Sequence, residues 1–137
     1  MAEYLLDTDH LSYLQEGHSA VVARYLALSP NDRVMTSAVN VGEVLRGANE
    51  APEGRKRQRL LEGYRHLLQQ MREIIPVTMS EAEQYAEIGA GLSRKGTPIP
   101  VHDVWIAATA LARGAVLVTN DQHFALVEGL KTENWSR

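Results

Sequence analysis

The sequence predicts an α/β protein, a three-layer α/β/α sandwich around a short, mainly parallel sheet of four to five strands. Two observations carry this. Apolar runs of about four to six residues recur along the 137-residue chain, and segments with helical spacing separate them. Parallel strands need crossover connections, and helices supply them, covering both faces of the sheet. The helix stops agree, because Gly96 and Gly114 each close a helical pattern before the next apolar run.

Tyr4, Leu5 and Leu6 place a short buried strand at residues 3–6. Residues 10–28 carry helical spacing up to the turn signal S-P-N-D. R-V-M-T-S-A (33–38) reads as a strand, and 39–49 as a helix ending near Ala51-Pro52. A long helix is expected from about residue 54 to 72. E-I-I-P-V (73–77) is a strand, placed at an edge because Pro76 cannot donate to a ladder. Ser80 with Glu83 forms a capping-box pattern that opens a helix to about Lys95. Pro100 opens a helix to Arg113. A-V-L-V-T (115–119) is a strand, and L-K-T-E-N-W (130–135) supplies a last one.

Length predicts one domain over residues 1–137, able to bury roughly 68% of its unfolded surface without staples. There is no cysteine, which excludes disulfides, thiolate zinc sites and a cysteine nucleophile. The acidic start (Glu3, Asp7, Asp9) is unlike a secretory signal. The longest near-continuous apolar stretch, Val104 to Ala112, is far short of the ~20 residues of a membrane span. A soluble, cytoplasmic protein with no membrane partner is expected. The net charge of −3 does not advertise nucleic-acid binding, but residues 53–72 hold six Arg/Lys against two acids. That segment is either a solvated helix face or a patch for phosphates or an acidic partner.

In a parallel α/β sheet, strand C-ends and the N-termini of the following helices share one edge, where ligands bind. Asp7 and Asp9 follow the first strand, and Glu43 lies in the early turns of the helix after the second. Asp103 opens the helix before the fourth strand, and Asp121 sits just past Thr119 at that strand's end. Five acids from four segments therefore point to one rim. Asp7 and Asp9 could simply cap a helix, and Asp121 could be a turn residue. Periodicity leaves Glu43 on the surface, opposite the stripe Val41, Val44, Leu45 and Ala48. Asp103 is the sharpest case, because its helix is apolar almost all round and no Lys or Arg occurs between Lys95 and Arg113. A buried carboxylate without a partner is costly.

Two carboxylates ~4 Å apart repel by ~4 kcal/mol at an effective dielectric near ~20, against a total stability of only ~5–15 kcal/mol. A rim of acids therefore needs a counter-charge. Oxygen donors without thiolates suit Mg²⁺ or Mn²⁺. His102 and His123 flank the acids and leave a softer metal as an alternative. G-A-G-L-S-R-K-G (89–96) follows no strand and lacks phosphate-loop spacing. Trp105 and Trp135 read as packing residues rather than base platforms.

L-L-D-T-D-H-L-S-Y-L (5–14), T-S-A-V-N-V-G-E-V-L-R-G-A (36–48) and the stretch from Ile99 to Trp135 together resemble the PIN domain, and within it the VapC-type toxin ribonucleases of bacterial toxin–antitoxin pairs. The resemblance implies the PIN-like sandwich. It also implies the toxin component of a type II toxin–antitoxin system, a metal-dependent endoribonuclease that hydrolyses RNA through a metal-activated water. By position it makes Asp7, Glu43, Asp103 and Asp121 the catalytic acids and the ligands of Mg²⁺ or Mn²⁺, and so brings Glu43 back into the site. Asp9, where many relatives carry Asn, and Thr119 are supporting residues. Arg46, Arg55, Lys56, Arg57 and Arg59 are candidate contacts to RNA or a partner. A homodimer and a small antitoxin are implied as well. Two other functions remain open at this level. D-T-D after a strand also suits an aspartyl-phosphate phosphatase or phosphotransferase, although His10 stands where that pattern wants glycine. A non-catalytic PIN-like binding domain is the other.

Overall fold

The structure is a computed structural model that describes residues 1–137. Five strands, β1 (Glu3–Leu6), β2 (Arg33–Ser37), β3 (Ile74–Ile75), β4 (Val116–Val118) and β5 (Thr132–Glu133), form one sheet in the order β3-β2-β1-β4-β5. Every pairing is parallel, with Tyr4 opposite Val34 on one side and Val116 on the other. Six α-helices connect them: α1 (Thr8–Glu16), α2 (Ser19–Leu26), α3 (Ala38–Asn49), α4 (Arg55–Gln69), α5 (Met79–Arg94) and α6 (Val101–Arg113).

The strand side-chain period of two builds three layers. Leu5, Met35, Ile75 and Leu117 face one way, onto Leu92 of α5 and Val104, Ala107 and Ala110 of α6. Tyr4, Leu6, Val34 and Val118 face the other way, onto Leu11, Val21, Val44 and Tyr64 from α1 to α4. Leu5 and Leu6 are both fully buried although they are neighbours, as a central strand covered on both faces requires. Trp135 packs edge-on against Tyr4 at 5.4 Å, and Trp105 stacks on Tyr85 at 3.9 Å. No helix is long and apolar enough to cross a membrane.

Several expected boundaries move. The single helix over 10–28 is two helices, because Gly17 takes the left-handed conformation (φ 76°) and closes α1. His18 then caps α2 by accepting from the Val21 N–H at 3.3 Å. The capping box is Thr78 with Glu81 rather than Ser80 with Glu83. Both pairs fit the same pattern, and the earlier one buries Glu81 where the Thr78 N–H reaches it at 2.7 Å. The third strand shrinks to two residues at the sheet edge, since Pro76 has no N–H to extend it. A 3₁₀ helix at Gln122–Leu126 had no expected counterpart.

The chain runs β1, β2, β3 outward on one side of the sheet, then returns to place β4 and β5 on the other. The order reverses between β1 and β4, and a crevice opens outside their C-ends. Asp7 leaves β1 at this point, its N–H bonded to the Val118 carbonyl at 2.9 Å.

Candidate active site

Asp7 is the most constrained of the acids. It is the N-cap of α1, and only 6% of it is exposed. Its Oδ1 accepts from the Thr8 N–H at 2.8 Å and from Asn40 Nδ2 at 3.0 Å. Its Oδ2 accepts from Thr119 Oγ1 at 2.7 Å. The capping role and the delivery of an acid to a site are therefore properties of the same residue. Burial, chiefly, pushes its carboxyl up from 3.8 to about 6; the Thr119 hydroxyl opposes this, and the negative charge of Asp9 adds to it.

Glu43 faces this cleft, contrary to its surface reading. Its Oε1 accepts from Thr8 Oγ1 at 2.9 Å, and its side chain is 31% exposed. The reason is tertiary. Helix α3 packs against both α1 and α6, and Glu43 meets Thr8 of one and His102 of the other, so the side that periodicity assigns to water is a cleft wall. Asp103 lies in the first turn of α6, buried as its apolar helix requires. Burial raises its pKa, and the neighbouring His102 and His123 oppose the rise. His102 Nε2 lies 3.2 Å from Asp103 Oδ1 and 3.6 Å from Glu43 Oε2. His123 Nδ1 lies 3.3 Å from Asp103 Oδ2 and 3.2 Å from Asp121 Oδ1. Asp121 caps the 3₁₀ helix through the His123 N–H at 2.8 Å, and its own N–H donates to Thr119 Oγ1 at 3.0 Å.

These contacts close into a ring. It runs Asp7, Thr119, Asp121, His123, Asp103, His102, Glu43, Thr8, Asn40 and back to Asp7. Hydroxyls, an amide and imidazoles alternate with the four acids. No lysine or arginine forms an ion pair with any of the four. The N-termini of α1, α3 and α6 give only partial relief, each worth ~0.3–1 kcal/mol. An all-oxygen set of buried and half-buried carboxylates without a cation fits a hard divalent ion.

Asp9 stands outside the ring. Its Oδ2 accepts from the Asn120 N–H at 2.7 Å, and its Oδ1 lies 2.7 Å from His10 Nδ1. The fully buried His10 accepts the Trp135 N–H through Nε2 at 3.1 Å, which assigns its hydrogen to Nδ1. Asp9 thus pins the loop between Thr119 and Asp121. Of the basic residues, Arg57 donates to the Ala51 carbonyl at 2.9 and 2.7 Å, and Arg46, 81% exposed, lies 3.5 Å from Glu50. Arg55, Lys56 and Arg59 are exposed on α4.

Asn40, Thr8 and His10 escaped the sequence reading. Asn40 carried a readable signal, since it continues the buried line Val44 and Ala48 and sits three residues after the α3 cap Ser37. A polar residue in an apolar stripe needs a partner, and here the partners are Asp7 and Thr8.

The model of the PIN domain matches residues 4–130. The chain belongs to the PIN-domain family. The PIN frame is shared along almost the whole length with "Ribonuclease VapC1" of Haemophilus influenzae, 29% identical over 136 residues and covering 98% of each chain. It is shared also with "tRNA(fMet)-specific endonuclease VapC" of Shigella flexneri, 28% identical, covering 99% of this chain and 100% of that one. Among solved structures, VapBC2 from Rickettsia felis, bound to a promoter DNA fragment, superposes with a TM-score of 0.88 at 27% identity, covering 97% of this PIN domain and 98% of that chain. FitAcB from Neisseria gonorrhoeae gives 0.85 at 27% identity, covering 96% and 97%.

Proposed function

We propose that this PIN domain is the ribonuclease toxin of a type II toxin–antitoxin pair, with Asp7, Glu43, Asp103 and Asp121 holding Mg²⁺ or Mn²⁺ at the crevice between β1 and β4. One observation carries the reading: four carboxylates meet in a closed ring that contains no lysine or arginine. Full-length likeness to proteins named VapC ribonucleases supports RNA as the substrate. A bound divalent ion supplies charge neutralisation on the phosphodiester and lowers the pKa of water.

The protein's own groups do the positioning. Thr119, Asn40 and the Thr8 N–H hold both oxygens of Asp7, and the Thr8 hydroxyl holds Glu43. Asp9 fixes the Asn120 backbone, so Asp121 arrives at a set height beside Thr119. Exposed Arg55, Lys56 and Arg59 offer positive charge to an RNA backbone or an acidic partner segment. A small antitoxin is the proposed partner, since a similar solved structure, VapBC-5 from Mycobacterium tuberculosis, is described as a member of the VapBC family of toxin–antitoxin systems. A homodimer working in the cytoplasm completes the proposal. An aspartyl-phosphate mechanism is disfavoured, because the fully buried His10, bonded to the Trp135 N–H, stands where that pattern wants glycine.

The test is cleavage of end-labelled tRNA and rRNA with Mg²⁺, Mn²⁺ or EDTA, beside Asp103→Asn. Discrete cuts that require metal and vanish in the variant are expected. Cuts that survive in a folded Asp103→Asn protein would remove Asp103 from the site.

A further inference from the structure

Nδ1 of His123 is aimed at two carboxylates at once. It lies 3.3 Å from Asp103 Oδ2 and 3.2 Å from Asp121 Oδ1. Charge-assisted hydrogen bonds run at ~2.7–2.9 Å, so neither contact is a tight one. A ring nitrogen also carries at most one hydrogen, which the two oxygens would have to share in a weaker three-centre bond. If it carries none, a lone pair faces two anionic groups. Either way the arrangement is poorly satisfied as hydrogen bonding.

The same separations suit ligands that share one ion. With donors at ~2.1 Å, neighbouring ligand atoms lie roughly 3.0 Å apart on an octahedron and roughly 3.4 Å apart on a tetrahedron. The donor atoms of Asp103, Asp121 and His123 all fall within 4.8 Å of one another, and no other set of three such side chains does so. His102 also approaches two acids, but it is 3.6 Å from Glu43. The burial supports a joint role. Asp103 is almost fully covered, while His123 is 53% exposed and can turn toward an incoming ion at little cost.

We propose that His123 is a nitrogen ligand of the divalent ion, joining Asp103 and Asp121, and that it tunes the site toward Mn²⁺ over Mg²⁺. This rests on the divalent-ion reading of the preceding subsection. Imidazole is a softer donor than carboxylate. Mg²⁺ favours an all-oxygen, water-rich shell, whereas later first-row ions accept nitrogen readily. The nearby backbone contact, His123 N–H to Asp121, holds the imidazole and the carboxylate side by side on the 3₁₀ turn.

Pulsed electron paramagnetic resonance of the Mn²⁺-loaded protein tests this directly, because a coordinated imidazole imprints ¹⁴N modulation on the Mn²⁺ signal. Wild type is expected to show the modulation, His102→Phe to keep it, and His123→Phe to lose it. Mn²⁺ affinity in His123→Phe should fall at least ~10-fold, while Mg²⁺ affinity barely moves. The half-exposed position makes this variant compatible with folding, and thermal melts in EDTA check that. Bound Mn²⁺ without nitrogen modulation overturns the proposal and leaves a carboxylate-only ion site standing. Modulation lost only in His102→Phe overturns the choice of His123. Failure of the folded wild-type protein to bind Mn²⁺ or Mg²⁺ would overturn the divalent-ion reading itself.

Discussion

Replacing Asp7 by Asn should stabilise the metal-free protein at neutral pH, although it removes a central residue of the site. The folded carboxyl sits at about 6 and its ordinary value is 3.8, so the native state binds this proton more tightly than the unfolded chain. Between those two values the native state holds more protons, and stability falls as pH rises. Below about pH 4 the penalty is absent, and above about pH 6 it is complete. The difference of about 2 units corresponds to ~3 kcal/mol at 1.36 kcal/mol per unit. Asn keeps an Oδ1 for Thr8 and Asn40, but its amide nitrogen cannot accept the Thr119 hydroxyl hydrogen, which loses its acceptor. Losing that contact costs ~1 kcal/mol. Asp7→Asn should therefore be ~2 kcal/mol more stable than wild type at pH 7.5 and ~1 kcal/mol less stable at pH 4. Urea unfolding in EDTA across this range measures both. A difference between the two proteins that stays flat from pH 4 to pH 8 refutes the reasoning. Excess Mn²⁺ at pH 7.5 should stabilise wild type by ~2.7 kcal/mol at a hundred times the dissociation constant, and the variant by far less.

Two more predictions follow from the packing around that residue. Asn40→Ala removes the amide shared by Asp7 and Thr8 and leaves buried acceptors short of a donor; a loss of ~1–3 kcal/mol in urea melts, with weaker metal binding by calorimetry, is expected. Leu5→Ala opens a cavity in the α5/α6 face of the central strand, so unfolding free energy should drop by ~2–5 kcal/mol while metal affinity in the folded protein stays unchanged.

The site is built so that its acids are supported without being neutralised. Each carboxylate of the ring has hydroxyl, amide, backbone or imidazole neighbours, and none has a fixed cation. Such donors orient an anion while leaving most of its charge available to a mobile partner.

Much of the architecture can be read along the chain, because its determinants are local. Tyr4-Leu5-Leu6 must be a doubly buried strand, the apolar helix ending at Gly114 must lie inside, and Pro76 must sit at an edge. Asp7 and Asp121 fall at one sheet edge for the same reason, since parallel topology sends every strand C-end there, and Asp103 joins them from the first turn of the helix that leads into β4. What required the tertiary structure is what depends on distant neighbours. Asp7 takes its hydrogen bonds from Asn40, 33 positions away, and from Thr119, 112 positions away. Glu43 reads as a surface residue because helical periodicity distinguishes only an apolar side from a polar one, and a polar cleft wall scores as water. The choice between two capping boxes is of this kind too, since both local patterns were permissible and the burial of Glu81 selected one. Local sequence encodes which groups can be buried and where the chain can turn. Only the packed fold brings together groups with no sequence proximity, and their mutual repulsion is what makes this edge of the sheet a candidate site.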